Sequence, residues 1–332
     1  KLGANSAGVV TTRAISVSAG ATGGFAGVEA SDSLEVSGVV SGAGGIETST
    51  IEPPGLGTAL RISIARPIQP AVGAVGGPSA VVYVTDADYA FGTVVDAVRI
   101  GSLGGDLAPA VVVGIGYAEE TGDLGFVSKR RFLDFYRGPR RSFSAGAYGS
   151  FEFGGADAFL AALRDHVIVR VVQHVGGIDP ARRVLLGMSA GGHFAAYAMA
   201  EDPELFQGYA LMSPMLVDPQ SPVAGVLPQS VGDPAMVRLI EELPALPPGL
   251  RAFLSAGALE EDPGTMFADY AIISNALKMR SALARHGVET HFVQFPGETH
   301  GSVAGAAIVR ALRFLLPVAA GPDWQAALAA TE

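Results

Sequence analysis

The chain has 332 residues, of which 49% are hydrophobic, and its formal net charge at pH 7 is −10. It is long enough to bury a large core, and its acidic balance argues against nucleic-acid or anionic-membrane partners. Because cysteine is absent, disulfides, thiolate metal sites and a cysteine nucleophile are excluded, so serine must carry any covalent catalysis. No apolar run is long enough to span a membrane, and we expect a cytoplasmic protein.

The amino-terminal segment differs in composition from the rest of the chain. Residues 1–47 are rich in Gly, Ala and Ser, and weak alternation predicts short strands within 14–18 and 34–39. We therefore predict an extension that is β-rich or partly ordered. Residues 48–332 alternate strands with helices, which predicts one α/β domain: a three-layer sandwich with a mostly parallel central sheet.

The elements of this domain are predicted from hydrophobic periodicity and from Gly and Pro punctuation. Residues 59–66 alternate and predict an antiparallel strand, and residues 117–150 are predicted to form a long loop. Apolar runs predict further strands at 80–85, 109–116, 184–186, 206–212, 250–256 and 289–295. Helices are predicted at 93–103, 156–172, 194–200, 234–243, 265–286 and 302–316.

One stretch carries a recognisable catalytic pattern. Gly187-Met-Ser189-Ala-Gly191 lies between a predicted strand and a predicted helix, which is the context of a nucleophile elbow. The turn is too tight for side chains two residues on either side of the serine, so glycine occupies both places. We predict Ser189 as a nucleophile above the sheet, next to a helix amino terminus.

Two later strand ends carry the residues that would activate a serine. His300 follows the last predicted strand and is our candidate general base, and Glu260 follows the strand before it and is our candidate orienting acid. Serine, acid and histidine then occur in the chain order of α/β-hydrolase triads. The other carboxylates that could serve as the acid are Glu261, Asp262 and Asp218.

The oxyanion hole requires two backbone N–H donors. One is predicted at Ala190, directly after the nucleophile, and the other at Ala87 or Asp88, after an early central strand. The sequence shows no histidine pair at metal-ligand spacing, so we predict neither a metal site nor a cofactor. Gly114-Ile-Gly116 lacks the third glycine of a dinucleotide fingerprint.

A basic and aromatic cluster occurs within the predicted loop. Guanidinium groups bind carboxylates and stack on rings, so we predict Arg130 and Arg131, together with Tyr89, as substrate-binding residues. The alternative is a solvated loop in which these arginines pair with aspartates of the protein.

Beyond these local patterns, residues 48 to 316 resemble the esterase family of the α/β-hydrolase superfamily that is related to enterochelin (siderophore) esterases and esterase D. The stretches that carry the resemblance are Leu60–Pro67, Val82–Asp86, Val113–Tyr117, Arg131–Asp134, Gly187–Gly192, Asp202–Phe206, Ser213-Pro214 and Pro296–His300. By position, the resemblance implies Ser189 as nucleophile and His300 as base, and it matches Glu260 less firmly.

The resemblance implies a serine esterase that acts through an acyl-enzyme. Phe135-Tyr136 and Met215–Val217 depart from the family's usual residues, so we expect a natural-product or xenobiotic ester or lactone rather than an aromatic siderophore. An acyltransferase with the same triad, or a non-catalytic binding module with this fold, would share these motifs. The expected partner is the small-molecule substrate, and self-association into a homo-oligomer is left open.

Overall fold

The computed structural model describes residues 15–16, 35–36, 45–68, 79–119, 123–144, 149–217, 234–265 and 267–318. The described strands are β1 (Ile15–Ser16), β2 (Glu35–Val36), β3 (Ile46–Ile51), β4 (Leu60–Ala65), β5 (Ser79–Val84), β6 (Ala110–Tyr117), β7 (Arg141–Ser144), β8 (Ser150–Phe153), β9 (Ile178–Met188), β10 (Gly208–Met212), β11 (Arg251–Gly257) and β12 (Glu289–Phe295). The described α-helices are α1 (Ala87–Leu103), α2 (Leu124–Phe135), α3 (Ala156–Ala162), α4 (Val169–His174), α5 (Ala190–Glu201), α6 (Ala235–Glu241), α7 (Ile272–Arg285) and α8 (Val303–Leu315).

A 10-stranded sheet in the order β1-β2-β3-β4-β6-β5-β9-β10-β11-β12 forms the centre of the molecule. Every neighbouring pair from β6 to β12 is parallel, and the pairs from β1 to β6 are antiparallel. Parallel strands in register end at a common edge, and Met188, Met212, Ser255 and Val293 are aligned across β9 to β12. The residues that follow these strands therefore emerge on one side of the molecule.

Helices cover both faces of this sheet, which confirms the predicted three-layer sandwich. Val81 and Tyr83 of β5 pack in a core with α3, α5, α6 and α7, whereas Val82 and Val84 pack on the opposite face with α1 and α8. Because successive side chains point to opposite faces, a strand covered on both sides must be apolar throughout. This requirement explains the continuous apolar runs of β5 and β6.

The prediction of a long loop over 117–150 is wrong for most of that range. It contains α2 and a two-stranded hairpin of β7 and β8. Asp123 caps α2, because its carboxylate accepts hydrogen bonds from the N–H groups of Gly125 at 2.7 Å and Phe126 at 3.1 Å. Tertiary packing of this helix on α3 and α5 brings its arginines into the interior.

Two predicted helix starts also differ from the structure. α1 begins before the predicted residue 93, because the Asp86 carbonyl accepts from Tyr89 N–H at 3.0 Å and Ala90 N–H at 2.8 Å. α7 begins after the predicted residue 265. A 3₁₀ turn at Ala268–Tyr270 precedes it, and Ala271 at φ 48° separates the two.

The amino-terminal segment contributes strands to the central sheet. β1 and β2 lie within the two stretches predicted as short strands and pair with each other. β3 spans the proposed boundary at 47/48 and pairs along its whole length with β4. Among the described residues, no helix is both long and apolar enough to cross a membrane.

Candidate active site

The β9–α5 turn has the backbone geometry of a nucleophile elbow. Ser189 lies between β9 and α5 at φ 58° and ψ −116°, a region that non-glycine residues rarely adopt and that costs about 1–3 kcal/mol. A Cβ atom on Gly187 would collide with the Gly191 carbonyl, and one on Gly191 would collide with the Asp86 carboxylate. Both glycines are therefore required by close backbone approach.

A buried ion pair holds the residue before the serine. Asp86 is 3% exposed, and its Oδ2 accepts from the N–H of Met188 at 2.7 Å. Arg131 donates from Nε to Asp86 Oδ1 at 2.8 Å and from a terminal nitrogen to the Met188 carbonyl at 3.1 Å. Burial lowers the pKa of Arg131, but the charge and hydrogen bond of Asp86, together with Tyr89 and Tyr117, outweigh burial, so the pKa is raised and the guanidinium stays charged. Asp86 and Arg131 therefore hold the N–H and the carbonyl of Met188, respectively.

His300 and Glu260 form a hydrogen-bonded pair. His300 Nδ1 lies 2.8 Å from Glu260 Oε1, and Glu260 Oε2 accepts from the N–H of Gly257 at 3.1 Å. Glu260 is 1% exposed. The imidazole also stacks on Phe267 with 3.9 Å between ring centroids and 26° between planes. One carboxylate oxygen thus fixes the imidazole while the other is held by the backbone.

The other predicted acids have different surroundings. Glu261 accepts from the N–H of Ser274 at 2.7 Å and from its hydroxyl at 2.9 Å, so it caps the first turn of α7. Asp262 is exposed. Asp218 lies outside the described residues. Among the described candidates, only Glu260 contacts His300.

Met215 lies against the serine and connects it to the histidine side of the site. The Ser189 hydroxyl donates to Met215 Sδ at 3.2 Å, and Met215 N–H donates to the Ser189 carbonyl at 3.1 Å. Met215 belongs to a small apolar cluster against which Phe267 packs. His193, buried beneath the elbow, has its Nδ1 2.8 Å from the Met215 carbonyl. The structure therefore brings Ser189, Glu260 and His300 to one edge of the sheet.

The predicted oxyanion donors occupy two helix starts on neighbouring strands. Ala190 is the first residue of α5, and Ala87 and Asp88 are the first two residues of α1. The first N–H groups of a helix have no acceptor within the helix, so these amides are suited to bind an anion. The two turns are adjacent, because Thr85 N–H donates to the Leu186 carbonyl at 3.1 Å.

The three predicted substrate-binding side chains differ in their contacts with the rest of the protein. Arg130 donates to Asp134 at 3.0 Å, and burial raises the pKa of Asp134 to about 6 despite this partner. The Arg131 guanidinium lies over the Tyr89 ring at 5.1 Å from its centroid. Tyr89 itself is 46% exposed. Both arginines are therefore neutralised by aspartates of the protein, and Tyr89 is the most exposed of the three.

Sequence reasoning missed Asp86 and Met215 as members of this site. Asp86 directly follows the predicted strand 80–85 and belongs to a stretch that resembles the family, but nothing in the sequence places its side chain beside the elbow. Met215 was noted only as a departure from the family pattern. Their proximity to Ser189 depends on strand pairing of β9 with β5 and β10, which local sequence does not encode.

The model of the family described as "Putative esterase" matches residues 63–315. The ferri-bacillibactin esterase BesA of Bacillus subtilis is 28% identical over 246 residues, which cover 71% of this chain and 78% of that protein.

Two solved structures share the fold at lower identity. The BES protein from Bacillus cereus is 23% identical with a TM-score of 0.65, covering 85% of this chain and 98% of its own. The siderophore hydrolase EstA from Aspergillus nidulans is 22% identical with a TM-score of 0.65, covering 81% of this chain and 93% of its own. The chain therefore belongs to this esterase family, and it is a carboxylic ester hydrolase with the α/β-hydrolase fold.

Proposed function

We propose that the protein hydrolyses its ester through an acyl-enzyme, with Ser189 as nucleophile, His300 as general base and Glu260 as orienting acid. The observation that carries this proposal is the 2.8 Å contact between His300 Nδ1 and buried Glu260, at the edge where the strained elbow presents Ser189. An ionised carboxylate can only accept a hydrogen bond, so Nδ1 carries the proton and Nε2 is left as the base.

The chemistry then proceeds in two balanced halves. Ser189 Oγ attacks the ester carbonyl carbon while its proton passes to His300 Nε2, and the carbonyl oxygen becomes an oxyanion. The N–H of Ala190 and that of Ala87 or Asp88 stabilise this oxyanion. Collapse expels the alcohol, which takes the proton from His300. Water then repeats the sequence on the acyl-enzyme and releases the acid.

The resting hydroxyl has to leave Met215 before it reacts. A thioether is a weak acceptor, so rotation about the Ser189 Cα–Cβ bond towards the imidazole costs little. Substrate that enters beside Met215 would displace this contact. We therefore propose that the Met215 side chain forms part of the surface against which the acyl group lies.

The proposed substrate is a natural-product or xenobiotic ester or lactone. The names of the similar proteins assign siderophore esters to those proteins, and the chemistry of such compounds motivates including macrolactones among the test substrates. Tyr89 is retained as a proposed substrate contact, because its ring is exposed near the amino terminus of α1.

The test combines active-site labelling with a substrate screen. A fluorophosphonate probe should label the wild-type protein stoichiometrically, and Ser189→Ala should abolish both labelling and hydrolysis while the protein stays folded. p-Nitrophenyl esters of increasing chain length, aromatic esters and macrolactones would then rank the acyl preference. Full turnover by Ser189→Ala would overturn the proposed mechanism.

A further inference from the structure

Phe267 belongs to no sequence motif of the site, yet its ring stacks on the imidazole of the proposed general base. Its ring covers one face of the His300 imidazole, with 3.9 Å between centroids and 26° between planes. Rings at that separation overlap, so the imidazole cannot rotate about its Cβ–Cγ bond without striking the phenyl group. His300 Nδ1 is fixed at the same time by Glu260 at 2.8 Å.

The chain around Phe267 holds its ring in this position. The Phe267 carbonyl accepts from the N–H of Tyr270 at 3.0 Å, and the two rings are 6.2 Å apart. Phe267 also packs against the buried cluster of Met215, Val217, Ala256, Tyr270 and Ile272. The chain then turns through Ala271 in the left-handed region before α7 begins. Phe267 is therefore supported from behind and presents its face to His300.

The stacked face favours the charged form of the imidazole. A cation above an aromatic ring is attracted by the negative charge of the ring face. In the proposed reaction His300 becomes a cation only as it takes the Ser189 proton. An interaction present in the transition state and absent in the ground state accelerates the chemical step without tightening substrate binding.

We propose that Phe267 is a positioning residue for His300: it holds the imidazole in its hydrogen bond with Glu260, and it stabilises the imidazolium that forms. This inference rests on the proposed function of His300 as general base. It requires an aromatic face at position 267 and no contact between Phe267 and the substrate.

The experiment compares Phe267→Leu and Phe267→Tyr with Phe292→Leu. Phe292 packs against the same cluster without stacking on His300, so it is the matched control for lost packing. From the range of cation–π strengths, Phe267→Leu should lower kcat about tenfold with KM unchanged. Phe267→Tyr and Phe292→Leu should stay within about twofold of the wild type, because the first keeps the aromatic face and the second does not touch the base. Thermal unfolding of each variant shows that the protein is folded.

A second measurement reports on the ring directly and does not depend on turnover. The proton shared by His300 Nδ1 and Glu260 should give a downfield ¹H resonance that His300→Ala removes. It should broaden in Phe267→Leu and persist in Phe292→Leu. Unchanged kcat and an unchanged resonance in Phe267→Leu would overturn the proposal, and a rise in KM alone would make Phe267 a pocket wall instead. If Ser189→Ala retains activity, the proposed function fails, and the resonance still decides whether Phe267 positions the ring.

Discussion

Glu260→Gln tests the central hydrogen bond of the site with the smallest change in shape. Glu260 uses both carboxylate oxygens as acceptors, one for His300 Nδ1 at 2.8 Å and one for Gly257 N–H at 3.1 Å. Glutamine has one acceptor and one donor at these places, so it cannot satisfy both partners. Because the side chain is 1% exposed, water cannot easily compensate.

The expected loss follows from the two orientations that the amide can take. If its NH₂ group faces His300, Nδ1 must accept and the ring proton moves to Nε2, where it blocks transfer from Ser189; the equivalent amide substitution in a serine protease lowers kcat about 10⁴-fold. If the NH₂ group faces Gly257, two buried donors oppose each other at a cost of about 1–3 kcal/mol in stability. The first orientation leaves no donor unpaired and is therefore favoured, so we expect kcat to fall by about 10²- to 10⁴-fold.

The neighbouring carboxylate provides the control. Glu261→Gln weakens the cap that Glu261 makes on Ser274, which should lower stability by up to about 1 kcal/mol and leave kcat unchanged. The assay is steady-state hydrolysis of a p-nitrophenyl ester, with the rate of fluorophosphonate labelling and the unfolding midpoint for each variant. A folded Glu260→Gln protein with kcat within about tenfold of the wild type would refute the orienting role and leave a dyad of Ser189 and His300.

Three further predictions follow from the same region. Ser189→Gly should unfold at a higher temperature than Ser189→Ala, because glycine relieves a strain of about 1–3 kcal/mol at φ 58°. Arg131→Met and Arg130→Met each remove the cationic partner of a buried aspartate and should each destabilise the protein by up to about 3–5 kcal/mol. Only Arg131→Met, which frees Asp86 beside the elbow, should also lower kcat of the folded enzyme at low temperature. Burial raises the pKa of Asp134 in the folded protein to about 6, so the folded state binds the carboxyl proton more tightly than the unfolded state. The free energy of unfolding in urea should therefore fall by up to about 3 kcal/mol as the pH rises from 4 to 7. Asp134→Asn should reduce this dependence of stability on pH.

The nucleophile elbow and the histidine loop could be predicted because their signals are local. A side chain at 187 would collide with the Gly191 carbonyl, and one at 191 would collide with the Asp86 carboxylate under the turn. The turn therefore requires glycine at both positions, and this spacing is visible in the sequence. The order of serine, acid and histidine at successive strand ends predicts their meeting at one edge, since parallel strands share that edge. The structure places Glu260 and His300 in contact, and their roles in catalysis stay predictions.

The roles of α2 and of its arginines could not be read from the sequence in the same way. A run of three basic residues beside aromatic ones favours an exposed segment, because lysine and arginine are mostly exposed. Arg131 is directed inward because α2 packs against α5, and the buried carboxylate that it meets, Asp86, lies in the turn between β5 and α1. A contact between residues so distant along the chain depends on the whole sheet order, which local patterns do not specify.

Asp86 also joins two turns of the site that are far apart in the sequence, the β5–α1 turn and the β9–α5 turn. Asp86 immediately precedes Ala87, a proposed oxyanion donor, and its carboxylate accepts from the N–H of Met188, next to the proposed nucleophile. One carboxylate therefore ties the β5–α1 turn to the β9–α5 turn. The relative position of the proposed nucleophile and the proposed oxyanion donors is then set by a carboxylate that does not need to touch the substrate. Because the strain at Ser189 persists only while its surroundings hold it, loss of this carboxylate should relax both turns together.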